Sequence, residues 1–198
     1  MFPRSGTGHA RWMGPLHETV RSTVVDPETG NELTQKGGRG ELCFSGPTVF
    51  DGYLNSSRDD LFTSQGFFRT GDVVEICGGD GAFYRIAGRL KDIINRGGMK
   101  ISPAELDTLL EGHPALAEAA VCAYPDAILG EKICVCIVPA DGGTPSLEDV
   151  CAFLTQCGVA KFKLPERILV IEALPRNPLG KVLRHKLAEW ASEEGGGA

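Results

Sequence analysis

The chain has 198 residues, 42% of them hydrophobic and 23% charged, enough for one ordinary domain or two small ones with cores of their own. Its net charge of −6 argues against a nucleic-acid partner, and no run of 18 apolar residues is present to cross a bilayer. The opening Met1-Phe-Pro-Arg-Ser-Gly lacks the basic-then-apolar order of a secretory signal.

The first forty residues read as strands and turns. Val20 to Val25 is rich in β-branched residues, and Asp26-Pro27-Glu28-Thr29-Gly30 has turn chemistry. Gly37-Gly38-Arg39-Gly40 is a second turn before a short strand from Glu41 to Phe44. Strands at Val73–Ile76 and Ala82–Ile86 flank Gly78-Gly79-Asp80-Gly81, a hairpin signal. Residues up to about 88 are therefore expected to be all-β and part of something larger.

After Gly88 the pattern becomes alternating. Ser102-Pro103-Ala104-Glu105 reads as a capping box that launches a helix through Leu106, Leu109 and Leu110. Strands are expected at Ala119–Ala123 and Ile133–Val138, with Tyr124–Lys132 joining them. Ser146-Leu-Glu-Asp149 starts another helix, Ile168–Ile171 is a strand, and Val182–Trp190 is a last helix. The expected fold class is thus α+β/α/β, a β-rich segment over 1–89, a small α/β domain over 90–192, and a frayed tail over 193–198.

The seven cysteines (43, 77, 122, 134, 136, 151, 157) sit mostly in apolar runs, and alternation puts Cys134 and Cys136 on one strand face. Neither Cys-x-x-Cys nor His-x-x-x-His occurs, so buried reduced thiols and a reducing, cytoplasmic compartment are expected instead of zinc.

Three segments have residue types a nucleotide would need. In Phe68-Arg69-Thr70-Gly71-Asp72, a carboxylate after a tight turn either receives two ribose hydroxyls or caps local backbone. Gly88 to Pro103 has four cations within twelve residues around Gly97-Gly98; it reads as a site for close approach of a phosphorylated ligand or as a solvated edge strand. In Pro175-Arg176-Asn177-Pro178-Leu179-Gly180-Lys181, a stiffened loop delivers Lys181 just before a helix, either into a cleft or into water.

Read in order, these segments resemble the later motifs of the adenylate-forming superfamily, of acyl-CoA synthetase type. Gly40-Glu41-Leu42, Ser45-Gly46-Pro47 and Gly52-Tyr53 are similar to its Gly-Glu-Leu…Gly-Pro…Gly-Tyr stretch. Phe68 to Asp72 is similar to its Tyr-Arg-Thr-Gly-Asp, with Phe in place of Tyr. Gly88 to Pro103 resembles its hinge motif, and Pro175 to Arg184 its terminal Gly-Lys motif.

The resemblance implies activation of a carboxylic acid by ATP and transfer of the acyl group to a thiol, commonly that of coenzyme A. It implies that Asp72 binds the ribose of ATP and AMP, that Arg89 supports it, and that Lys91 is the hinge. Lys181 would serve adenylation, and Gly97-Gly98 would line the path of the CoA arm. The family's phosphate loop, its Mg²⁺ carboxylate and its acyl pocket have no match here; Ser5-Gly6-Thr7-Gly8 is a poor substitute for the loop. The resemblance therefore implies an incomplete unit whose N-terminal part is elsewhere, possessing no turnover by itself. A carrier protein as acceptor, or a non-catalytic truncated fragment, are the alternatives.

Overall fold

In the computed structural model, residues 12–13, 17–53, 57–78, 83–141 and 143–193 are described. Ser5–Gly8, the Gly79–Gly81 turn and the tail from Glu194 lie outside them. The chain divides into two compact units, one spanning His9–Lys91 and the other running from Asp92 onward.

The first unit contains strands β1 (Trp12–Met13), β2 (Arg21–Val25), β3 (Glu32–Leu33), β4 (Arg39–Ser45), a single helical turn α1 (Arg58–Leu61), β5 (Phe68–Ile76) and β6 (Tyr84–Arg89). The strands form an antiparallel sheet in the order β1-β6-β5-β4-β2-β3. The Asp26 turn forms as its composition dictates: the carboxylate accepts from the Glu28 and Thr29 amides, and Gly30 takes φ 72°. Val24, Leu42, Val74, Ile76 and Tyr84 pack into one core. Gly40 is required by close approach, since a Cβ there would lie 2.4 Å from the Val25 carbonyl oxygen.

The second unit follows a 3₁₀ turn at Leu90–Asp92. It contains β7 (Ile94–Arg96), β8 (Met99–Ile101), α2 (Pro103–Leu110), β9 (Leu116–Asp126), β10 (Gly130–Pro139), α3 (Leu147–Gln156), β11 (Arg167–Val170) and α4 (Arg184–Glu193). β9 and β10 pair antiparallel along their length, so residues 124–132 are strand ends and a tight reversal, not a long connection. On the other side of β10 lie β7 and, in parallel, β11. Period-2 alternation separates two cores. Val121, Ile133, Val135 and Ile137 face Leu106 and Leu110 of α2 and Val150 and Leu154 of α3. Cys122, Cys134 and Cys136 face Leu187 and Ala191 of α4. The unit is a sheet with helices on both faces, and the mixed α/β class read from the sequence is what the structure has.

One local expectation holds and two are corrected. Ser146 and Asp149 form the capping box, each side chain bonding the other's backbone amide. Ser102 makes no side-chain cap: the Glu105 amide donates to the Ser102 carbonyl at 3.2 Å, and the Glu105 carboxylate is drawn to Lys163 at 2.8 and 2.9 Å. The last helix begins at Arg184, not Val182, since Val182 bridges Arg176 as extended backbone. No helix among the described residues is long and apolar enough to cross a membrane.

Candidate functional site

In the first unit, Asp72 is not after a turn but inside β5, opposite Arg89 of β6. The register of β4 against β5 shifts between Glu41 and Cys43, and residues 70–72 bulge there. Gly71, at φ 71°, supplies the left-handed residue that such a bulge needs. Glu41, fully buried, holds it: its carboxylate accepts from Arg69 Nε at 2.8 Å and from the Gly71 amide at 3.0 Å. Thr70 Oγ1 donates to the Leu42 carbonyl at 2.7 Å and accepts from the Asp72 amide at 3.0 Å. With its backbone fixed, Asp72 offers a carboxylate one-third exposed, paired through Oδ1 with Arg89 Nε at 2.7 Å. A pair this exposed contributes at most about 1 kcal/mol to stability, so orientation of the carboxylate is its main effect. Phe68 anchors the start of the strand edge-on against Phe50 and Phe62, with ring centroids at 4.9 and 5.8 Å.

In the second unit, Gly97 and Gly98 (φ 55° and 84°) are the two residues of the β7–β8 hairpin turn. Consecutive left-handed residues are the type I′ requirement, so the turn itself explains both glycines. Of the four cations noted in the sequence, Arg89 is committed to Asp72, and Arg96 to Glu166 at 2.7 Å. Lys91 is exposed in the Leu90–Asp92 turn.

Lys181 is presented by a tightly tied loop. Its amide donates to Asn177 Oδ1 at 2.9 Å and its carbonyl accepts from the Asn177 amide at 2.9 Å. The same Oδ1 accepts from the Leu179 amide at 3.0 Å, and Gly180 turns the chain at φ 81°. Arg176 braces the loop from outside, to the Gly180 carbonyl at 2.9 Å and to Glu118 at 2.6 Å. Arg184, just past the loop, donates to the Val121 carbonyl at 2.6 Å and to Asp107, and lies 3.7 Å from Asp92. The Lys181 side chain itself is exposed.

Residues 105–181 match the AMP-binding enzyme C-terminal domain. The chain carries an AMP-binding enzyme C-terminal domain. It is 39% identical over 160 residues to the 2,3-dihydroxybenzoate-AMP ligase of Bacillus subtilis, covering 80% of this chain and 29% of that protein. It is 36% identical over 182 residues to the oxalate–CoA ligase of Arabidopsis thaliana, covering 91% of this chain and 35% of the relative. Its fold superposes on ATP-bound MatB from Rhodopseudomonas palustris with a TM-score of 0.83 and 32% identity, over 98% of this chain and 37% of that one. The chain thus spans about a third of the length of the curated relatives it matches. The family resemblance read from the motifs is borne out.

Three positioning residues escaped the reading of the sequence. Glu41, Asn177 and Arg184 fell inside quoted motifs, yet nothing in their spacing announces that each fixes a neighbouring segment. Glu41 has the one usable signal, a charged residue inside an otherwise apolar strand. Among the described residues, the one grouping of three potential metal ligands is of cysteines, not carboxylates.

Proposed function

We propose that this chain is the C-terminal portion of an ATP-dependent acyl- or aryl-acid:coenzyme A ligase, working with polypeptide that supplies the phosphate loop and acyl pocket. The observation that carries the reading is the Lys181 loop, whose backbone is held on both sides by Asn177 while its ammonium is left in solvent. A cation on a fixed stem serves a reaction in which two anions must meet.

In the first step a carboxylate oxygen attacks the α-phosphorus of ATP. A P–O bond to the acid forms, the α–β anhydride bond breaks, and pyrophosphate leaves with the electron pair. Lys181 stabilises the charge that accumulates between the acid and the α-phosphate. At about 4 Å and an effective dielectric near 20, one such contact is worth on the order of 4 kcal/mol before desolvation. Asp72, oriented by Arg89, accepts the ribose hydroxyls. In the second step a thiol sulfur attacks the acyl carbonyl and AMP departs. Lys91 is the hinge about which the unit beginning at Asp92 exchanges the Lys181 loop for the Gly97–Gly98 turn, which would flank the CoA arm. The seven free cysteines support a reducing, cytoplasmic setting.

A second acceptor is favoured by one comparison: the Bacillus relative is an AMP ligase by name, which fits transfer to a carrier protein as well as to CoA. Both acceptors use the same first half-reaction. The test is an enzyme in which this chain is joined to its N-terminal part. Lys181→Ala should lower acid-dependent pyrophosphate release about 10²–10³-fold while largely sparing thioester formation from supplied acyl-adenylate. Equal loss of both halves would refute the assignment. The 198-residue chain alone, given ATP, Mg²⁺, CoA and a panel of acids, should not turn over.

A further inference from the structure

Cys122 of β9 and Cys134 and Cys136 of β10 form a buried triangle that the proposed chemistry does not use. Cys122 and Cys134 are directly opposed across the hairpin, and strand alternation brings Cys136 to the same face. All three are 0–2% exposed. Their sulfurs lie within 4.8 Å of one another, with Cys122 and Cys136 Sγ 3.9 Å apart. The sequence hides the set because eleven residues of hairpin separate Cys122 from Cys134.

We propose that this triangle is a three-thiolate site for a soft d¹⁰ cation of the copper(I) class. The dimensions fit: with thiolate–metal bonds of about 2.3 Å, sulfurs at the corners of a trigonal plane stand about 4.0 Å apart. The surroundings fit as well. Leu169, Leu187 and Ala191 enclose the sulfurs in apolar side chains, and no fourth ligand joins them among the described residues. Zinc in a closed site takes four ligands, whereas soft three-sulfur surroundings select copper(I).

The charge balance is helped from two sides. Arg167 is in register with Cys134 on the neighbouring strand, and Arg184 donates to the carbonyl of Val121, the residue before Cys122. Guanidinium groups near thiols favour the thiolate. Each metal–sulfur bond replaces an S–H bond, the proton passing to solvent, and copper stays monovalent throughout. No oxidant or reductant is consumed.

The test uses the full 198-residue chain with Cys43→Ala, Cys77→Ser, Cys151→Ser and Cys157→Ser, which leaves only the triangle. It is refolded under argon with copper(I) supplied as its acetonitrile complex, then challenged with bicinchoninate. One copper per chain should be retained, with three sulfur neighbours at about 2.3 Å by X-ray absorption. Adding Cys134→Ala or Cys136→Ala should weaken retention by at least about 10–100-fold while circular dichroism stays unchanged. Retention at unaltered strength by either variant overturns the site, as does a sulfur count other than three or preferential uptake of zinc. Should the alanine variants fail to fold, the sulfur count on the unsubstituted triangle decides the matter alone.

Discussion

Glu41 and Arg69 lie side by side in the first unit, Oε2 2.7 Å from Nη2, and this pair sets the shape of the strand that presents Asp72. A buried carboxylate must find partners, and here it finds a guanidinium and a backbone amide in a single bulge. The position of Asp72 is thus determined by a residue 31 positions earlier in the chain.

Replacing Glu41 should therefore cost stability and order together. Glu41→Ala leaves Arg69 and the Gly71 amide without their acceptor, and a loss of about 1–3 kcal/mol in urea unfolding is expected. Glu41→Gln keeps an acceptor and should lose less. If the two variants are equally stable, and both match the unaltered chain, the bulge is held by something else.

Asn177→Ala should act locally. The loop loses two hydrogen bonds to one side-chain oxygen, so amide exchange at Leu179 and Lys181 should accelerate. Global stability should fall by no more than about 1 kcal/mol, because these groups are exposed. Unchanged exchange at both amides would show that Arg176 and the backbone bonds of residue 177 hold the loop without the side chain.

The two turn glycines should respond unequally. Alanine at either must adopt a left-handed conformation, at a cost of about 1–2 kcal/mol. At Gly97 a Cβ would also stand 3.1 Å from Leu129 Cδ2, whereas at Gly98 it meets open space. Thermal midpoints should therefore rank unaltered chain, Gly98→Ala, Gly97→Ala, with Gly98→Asn recovering part of the loss. The reverse order would contradict the geometry of this hairpin.

Acid sensitivity should be traceable in part to Asp126. A hydrogen bond from Lys132, then those from the Leu129 and Ile128 amides, hold its carboxyl at about 2. Because the folded value lies below the ordinary one near 3.9, its contribution is full above that value and disappears as pH falls toward about 2. Asp126→Asn should lower stability at neutral pH and flatten the decline between about pH 4 and 2, measured as urea midpoints. An unchanged slope would exclude Asp126 from the acid limb.

Elements governed by local chemistry were legible in the residues: the Asp26 turn, the Ser146 cap, and the alternation that puts Cys134 and Cys136 on one face. What escaped depends on partners distant in sequence. Ser102 fails as a capping box because the Glu105 amide donates to its carbonyl and Lys163, 58 positions beyond Glu105, captures that carboxylate. Asp72 was expected beyond a turn, yet Glu41 converts that turn into a bulge within a continuous strand. Gly97 and Gly98 suggested room for a ligand, while the dihedral angles of a two-residue reversal already demand them. In the Lys181 loop, proline and glycine advertised stiffness, but the tie that provides it is one amide side chain, which composition does not single out from any other asparagine.

The β9–β10 hairpin has a consequence for the order of assembly. Hairpins close in about 1–10 μs, because little chain entropy is lost in bringing near neighbours together. β11 reaches its parallel place only after the crossover through α3, and α4 is later still in the chain. Cys122, Cys134 and Cys136 are therefore expected to meet on an open ribbon before α4 seals them. Entry of an ion into the finished core is then unnecessary: the nascent ribbon meets it in solvent, and the closing helix locks it in.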